Sequence, residues 1–250
     1  MPLRVARDGG VLTLTLDRPD KRNALSASLI EALSDALQRA DLDADTRVVV
    51  LRGAGKDFCA GADLAELLES ADRALAENEA AARLLGSVFE QIRNLPKPVV
   101  AVVQGRAFAG GAGLATACDI TLAGTGAQIG YPEVQRGFVP AMVMTILRRL
   151  TGEKTALDLV LTGRLLSAEE ARAIGLVSRV VPDADLDAEA DKVARRLAGA
   201  SPSALGLTKR LFHELDTLPF AEGIALAARV NALARQTPDF RTVIAQFLDQ

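Results

Sequence analysis

One piece of this chain is built twice. Val48-Val49-Val50-Leu51-Arg52-Gly53 leads through a turn to Phe58-Cys59-Ala60-Gly61-Ala62-Asp63-Leu64. Pro98-Val99-Val100-Ala101-Val102-Val103-Gln104-Gly105 leads to Ala109-Gly110-Gly111-Ala112-Gly113-Leu114. Each copy reads as a buried β-branched strand, a glycine-rich turn and the start of a helix. Each therefore puts small residues at a helix N-terminus, where backbone N–H groups lack partners and the dipole is positive. Two such ends aimed at one point would hold an oxygen atom that gains negative charge, as enolate chemistry requires.

Strands alternating with helices predict an α/β core, and 250 residues suffice for one large domain with a helical extension. Val11–Leu16 alternates as a strand. Ser26 caps a helix over about 29–41, with Leu29, Ile30, Leu33 and Leu37 on one face. Residues 64–93 read as helical until Pro96 and Pro98. A strand follows at 119–123, and Ile129-Gly130-Tyr131-Pro132-Glu133 leads into a loop. From Thr145 onward the pattern is helical except for an extended piece at 176–181. The expected division is a core over 1–185 and a helical region over 186–250 that serves assembly.

A net charge of −3 and a pI near 5.4 argue against nucleic acid or an anionic membrane as the main partner. No run of about 18 apolar residues marks a membrane span, and the first residues lack a signal-peptide apolar region. The two cysteines, Cys59 and Cys118, sit in apolar stretches, which fits a reduced, cytoplasmic protein. Gly53-Ala54-Gly55-Lys56-Asp57-Phe58 starts like a dinucleotide fingerprint but has Phe at the third glycine. Gly105 to Ala112 lacks the Lys-Ser/Thr of a phosphate loop. The lone histidine, His213, cannot build a multi-histidine metal site and reads as an ordinary helical residue. No metal site is expected.

Asp17-Arg18-Pro19-Asp20-Lys21-Arg22-Asn23-Ala24-Leu25, Gly53 to Leu64, Gln104 to Ile120 and Gly130-Tyr131-Pro132-Glu133 together resemble the crotonase superfamily, the enoyl-CoA hydratase/isomerase family. The likeness continues in order through Leu161-Thr162-Gly163-Arg164 and Glu169 to Val177. It implies a spiral of ββα units with a C-terminal helical region. It further implies an acyl-CoA substrate, no cofactor beyond the CoA that the substrate carries, and a homotrimer or hexamer. By position, the amides of Ala60 and Gly110 would grip the thioester oxygen. Ala60, Gly61, Ala62, Asp63 and Leu64 would line the CoA site, and Lys21, Arg22 and Ala24 would meet its nucleotide end, where two cations suit phosphates. Asp63 also reads as a first-turn carboxylate that stabilises its own helix by about 0.3–1 kcal/mol.

Glu133 matches the family's catalytic glutamate, which moves protons at the acyl carbons. Gly113 stands where typical hydratases carry a second glutamate. Three readings follow: hydration with water held by other groups, Δ3,Δ2-enoyl isomerisation by Glu133 alone, or a larger pocket that accepts a branched acyl group. Hydration leads, with a methylglutaconyl-type hydratase among its forms. Tyr131 would share a face with Glu133 if the segment is extended, and is expected to wall the acyl pocket. Glu66, Glu69 and Asp72 are candidates for the pocket mouth, and Asp119 reads as structural. The ending Phe247-Leu248-Asp249-Gln250 lacks the basic tail common in the family, which shifts phosphate binding to the Lys21/Arg22 loop or a neighbouring subunit. The remaining alternative is a non-catalytic acyl-CoA-binding protein.

Overall fold

The computed structural model describes residues 1–248, so Asp249 and Gln250 of the expected tail lie outside the described residues. β1 (Leu3–Asp8) and β2 (Val11–Leu16) form a hairpin, followed by α1 (Ala27–Leu42). The first repeat is β3 (Val48–Gly53) and α2 (Leu64–Glu69), after which α3 (Leu75–Asn94) runs on. The second repeat is β4 (Val99–Val103), β5 (Arg106–Phe108) and α4 (Gly110–Ala117). Next come β6 (Ile120–Gly124), β7 (Gln128–Gly130), α5 (Ala141–Thr151), α6 (Glu153–Thr162), β8 (Leu165–Ser167), α7 (Ala168–Ala173) and β9 (Arg179–Val181). The chain continues in α8 (Leu186–Ala198), α9 (Pro202–Glu214), α10 (Phe220–Ala234) and α11 (Pro238–Leu248).

The main sheet has the order β1-β2-β3-β4-β6-β9, parallel except for the β1–β2 hairpin. Its centre is apolar on both faces, as a covered parallel sheet requires: all five residues of β4 are buried. Alternation sends successive side chains to opposite faces. Val49, Leu51, Val99 and Ala101 join Leu29, Leu33 and Leu37 of α1 and Val88 and Ile92 of α3 in one core. Val48, Val50, Val100 and Val102 meet Leu186, Ala190 and Val193 of α8 on the other face. Burial of a Leu or Val side chain of this kind stabilises by about 1.5–3 kcal/mol. Helix α8 is therefore part of the sheet's packing, and a boundary at 185/186 would strip one face of the sheet.

Three small departures from the sequence reading have local causes. The helix expected over 64–93 is two helices, because Asn78 donates through Nδ2 to the Ser70 carbonyl at 2.9 Å and the Glu77 carboxylate accepts from the Ala74 amide at 3.0 Å, which starts α3 afresh. Helix α5 begins at Ala141, earlier than Thr145, directly after Pro140. A second sheet, β5-β7-β8, is made of three-residue strands too short to show a period. Among the described residues no helix is long and apolar enough to cross a membrane.

The small sheet is what couples the two repeats. Cys59 pairs with Ala107, its amide donating to the Arg106 carbonyl at 2.9 Å while its carbonyl accepts from Phe108 at 3.0 Å. A Cβ at position 111 would collide with the Cys59 carbonyl, so glycine is required there for the two turns to approach. The turns after β3 and β5 thus face one opening.

Candidate active site

That opening is a cavity of about 530 Å³. Asp20, Lys21, Arg22 and Ala24 line it from the loop before α1, and Ala60, Ala62, Asp63 and Leu64 from the first repeat. Gly110 lines it from the second repeat, and Glu133 from the turn after β7. Leu67, Leu85, Phe138, Val139, Met142 and Val143 make the apolar wall. Gly61 and Tyr131 are not in the lining. Gly61 has φ +98, and a Cβ there would lie 2.9 Å from that of Ala109; its carbonyl accepts from the Leu25 amide at 2.8 Å, so it shapes the turn from behind. Tyr131 is fully buried, and its hydroxyl has no hydrogen-bond partner. The extended geometry expected at 131–133 is absent because Pro132 opens a 3₁₀ turn over Pro132–Arg136, which separates the two side chains.

The two amides of the expected oxygen grip are not equivalent. Gly110 is the first residue of α4, so its N–H has no acceptor within the helix. Ala60 lies four residues before α2, outside the helix end, and its N–H donates to the Arg22 carbonyl at 3.0 Å. Ala109, just before Gly110, holds φ +52 and ψ −124, a conformation that costs a residue with a Cβ about 1–3 kcal/mol. Its amide bonds the Gly130 carbonyl at 2.8 Å, which fixes the direction of the next peptide. Nothing in an Ala-Gly-Gly string announces that strain.

The nucleotide-end loop is bolted down by a residue that the sequence reading passed over. Asn23 is fully buried in a left-handed conformation that Asn tolerates. Its side-chain amide donates to the carbonyls of Ala54 at 2.9 Å and Asp57 at 2.8 Å and accepts from the Arg18 amide at 2.9 Å. Asp63 caps α2, accepting from Ala65 N at 3.1 Å and from Arg18 Nη2 at 2.9 Å, and the bond from Arg18 holds its carboxyl below the usual range. Glu66 accepts from the Ala27 amide at 2.8 Å and so caps α1. Glu66, Glu69 and Asp72 do not reach the cavity lining.

Glu133 is 7% exposed, and its Oε2 has no partner. Burial pushes its carboxyl above the ordinary value, against smaller pulls from its own backbone amide and from Arg136. Gly113 does not open extra space. A Cβ there would lie 2.6 Å from Val143 Cγ1 and 2.7 Å from Phe89 Cζ, so those side chains fill the place of a second carboxylate. The enlarged pocket expected from this glycine is therefore not present.

The enoyl-CoA hydratase/isomerase family model matches residues 6–250. A Thermus thermophilus protein described as a candidate enoyl-CoA hydratase is 43% identical over 97% of this chain and 96% of its own length. The 2,3-dehydroadipyl-CoA hydratase of Escherichia coli is 35% identical over 99% and 96%. The crystal structure of an enoyl-CoA hydratase from Mycobacterium smegmatis superposes with a TM-score of 0.95 at 32% identity, covering 100% of this chain and 96% of that one. Human enoyl Coenzyme A hydratase domain-containing protein 3 gives 0.95 at 30%, covering 100% and 98%. With its two strand–turn–helix repeats closing on one cavity, this chain belongs to the enoyl-CoA hydratase/isomerase family and has the crotonase fold.

Proposed function

We propose that this protein hydrates a 2-enoyl-CoA thioester with Glu133 as its single proton-transfer group. The observation that carries the reading is the buried carboxylate with one oxygen unpartnered, lining the same cavity as the open Gly110 amide. As a water oxygen bonds to C3, Glu133 takes one of its protons and the double-bond electrons move to the thioester oxygen. The Gly110 amide, joined by that of Ala60 once it turns from the Arg22 carbonyl, stabilises the enolate. One donor of this type is worth about 2.7–4 kcal/mol. The protonated Glu133 then delivers the proton to C2, so that one water has been added and no redox step has occurred. The reaction calls for no cofactor or metal. Lys21 and Arg22 at the mouth suit the phosphates of CoA.

One observation favours a second reading, the Δ3,Δ2-enoyl isomerase. Phe89 and Val143 occupy the place of the second carboxylate, and isomerisation needs only one: Glu133 removes a proton from C2 and returns it at C4. Turnover of a short trans-2-enoyl-CoA in ¹⁸O-labelled water, read by mass spectrometry, decides between them. One labelled oxygen in the product supports hydration. Tight binding without label, together with conversion of a 3-enoyl-CoA, replaces it with isomerisation.

Assembly into a trimer or hexamer fits the apolar side chains that the last helices leave in the open, Phe212, Phe220 and Ile224 among them. A cytoplasmic setting fits two buried free thiols, Cys59 and Cys118, the first pushed by burial up to about 12.

A further inference from the structure

The turn that carries Glu133 also carries a cation without a partner. In a 3₁₀ helix three residues complete a turn, so the side chains at 133 and 136 stand one above the other. Both line the cavity. Arg136 forms no ion pair among the described residues, and its one hydrogen bond is long, 3.5 Å from Nη1 to the Pro132 carbonyl. Of the other charges of the cavity, Arg106 lies 3.8 Å from Asp57 and Asp63 is held by Arg18. Lys21 and Arg22 also form no ion pair among the described residues, but they line the cavity from the loop before α1 and not from the turn of Glu133. Beyond Arg136 the wall is apolar, through Phe138, Val139 and Met142.

The Arg136 guanidinium bends back along that turn, toward the Pro132 carbonyl next to Glu133. We propose that Arg136 selects acyl chains that end in a carboxylate, making the preferred substrate the enoyl-CoA of a dicarboxylic acid. The inference rests on the reading above, in which Glu133 works at C2 and C3 of an acyl-CoA. A planar guanidinium receives a carboxylate through two parallel bonds, whereas a neutral acyl end leaves it to water. The same anion-binding chemistry could serve a CoA phosphate, and the test separates the two.

Binding of adipyl-CoA, hexanoyl-CoA and free CoA is measured by calorimetry on the whole protein and on Arg136→Met and Arg136→Lys. The two acyl ligands have equal length and differ in the terminal carboxylate; being saturated, they bind without turnover. The expected result is a preference for adipyl-CoA of about tenfold or more, the scale of one hydrogen bond to a charged group. Arg136→Met erases the preference, Arg136→Lys restores part of it, and added salt weakens it. A wild type that binds both acyl ligands alike overturns the proposal. So does an Arg136→Met loss equal across all three ligands, which assigns the guanidinium to a CoA phosphate. Because no chemistry is needed, these outcomes stand whether or not ¹⁸O enters the product of an enoyl substrate.

Discussion

Two carboxyls of this molecule are raised by desolvation, and their surroundings differ. Asp119, at the start of β6, accepts from Lys209 Nζ at 2.7 Å and from the Val99 amide at 2.7 Å. Lys209 in turn donates to the Ile92 carbonyl at 2.7 Å, so the pair fastens α9 to the sheet and to the end of α3. Glu133 has no such company, and its Oε2 is bare. Burial raises the carboxyl of each, yet only Asp119 has a buried cation in contact to oppose the shift. A desolvated charge with internal partners is scaffold. One left open toward a cavity is available for chemistry.

The largest effects should separate the two. Glu133→Gln should lower kcat by about 10²–10⁴-fold while thermal unfolding shows equal or greater stability; retained turnover would erase the contrast. Asp119→Asn should do the reverse. It takes the carboxylate from the largely buried Lys209 ammonium and should cost about 1–3 kcal/mol in urea unfolding, with the folded fraction keeping its kcat. The pH dependence sharpens the comparison. A base must be ionised, so kcat/KM should climb as pH rises through a Glu133 value above the ordinary carboxylate one of about 4.3. Stability should move the other way, because a folded-state value raised above the unfolded one adds stability below the unfolded value that is lost as pH rises through the folded one. Each unit of the shift is worth about 1.36 kcal/mol. Glu133→Gln should remove both dependences. The smallest effect belongs to Ala109→Gly: relief of the left-handed strain should add about 1 kcal/mol in chemical unfolding, and turnover should drop as the Gly110 amide loses its fixed direction.

The parts of this architecture that repeat or alternate were readable from the sequence. Ser26 caps α1, accepting from Leu29 N at 3.3 Å, and Leu29, Leu33 and Leu37 turn inward as their spacing required. Ala60, Gly110 and Glu133, far apart in sequence, line one cavity. What escaped depends on contacts between distant segments. Lys209 sits in a helix with no motif, and only the packing of α9 buries it. Tyr131 would share a face with Glu133 only on an extended backbone, which Pro132 ends, and its expected place in the acyl pocket wall is taken by other residues. The missing side chain at Gly113 was plain, but not that Phe89 from α3 and Val143 from α5 fill its place.

That filling limits how this site can drift. A change from glycine to glutamate at position 113 does not recreate a paired-carboxylate centre in one step, because the new side chain meets Phe89 and Val143 at once. Overpacking of this kind costs about 1–3 kcal/mol, against a total stability of about 5–15 kcal/mol for a protein domain. Phe89 and Val143 have to shrink first, and each such step leaves a hole while the catalytic gain is still absent. The packing of Phe89 and Val143 against Gly113 therefore holds this chain to the carboxylate of Glu133.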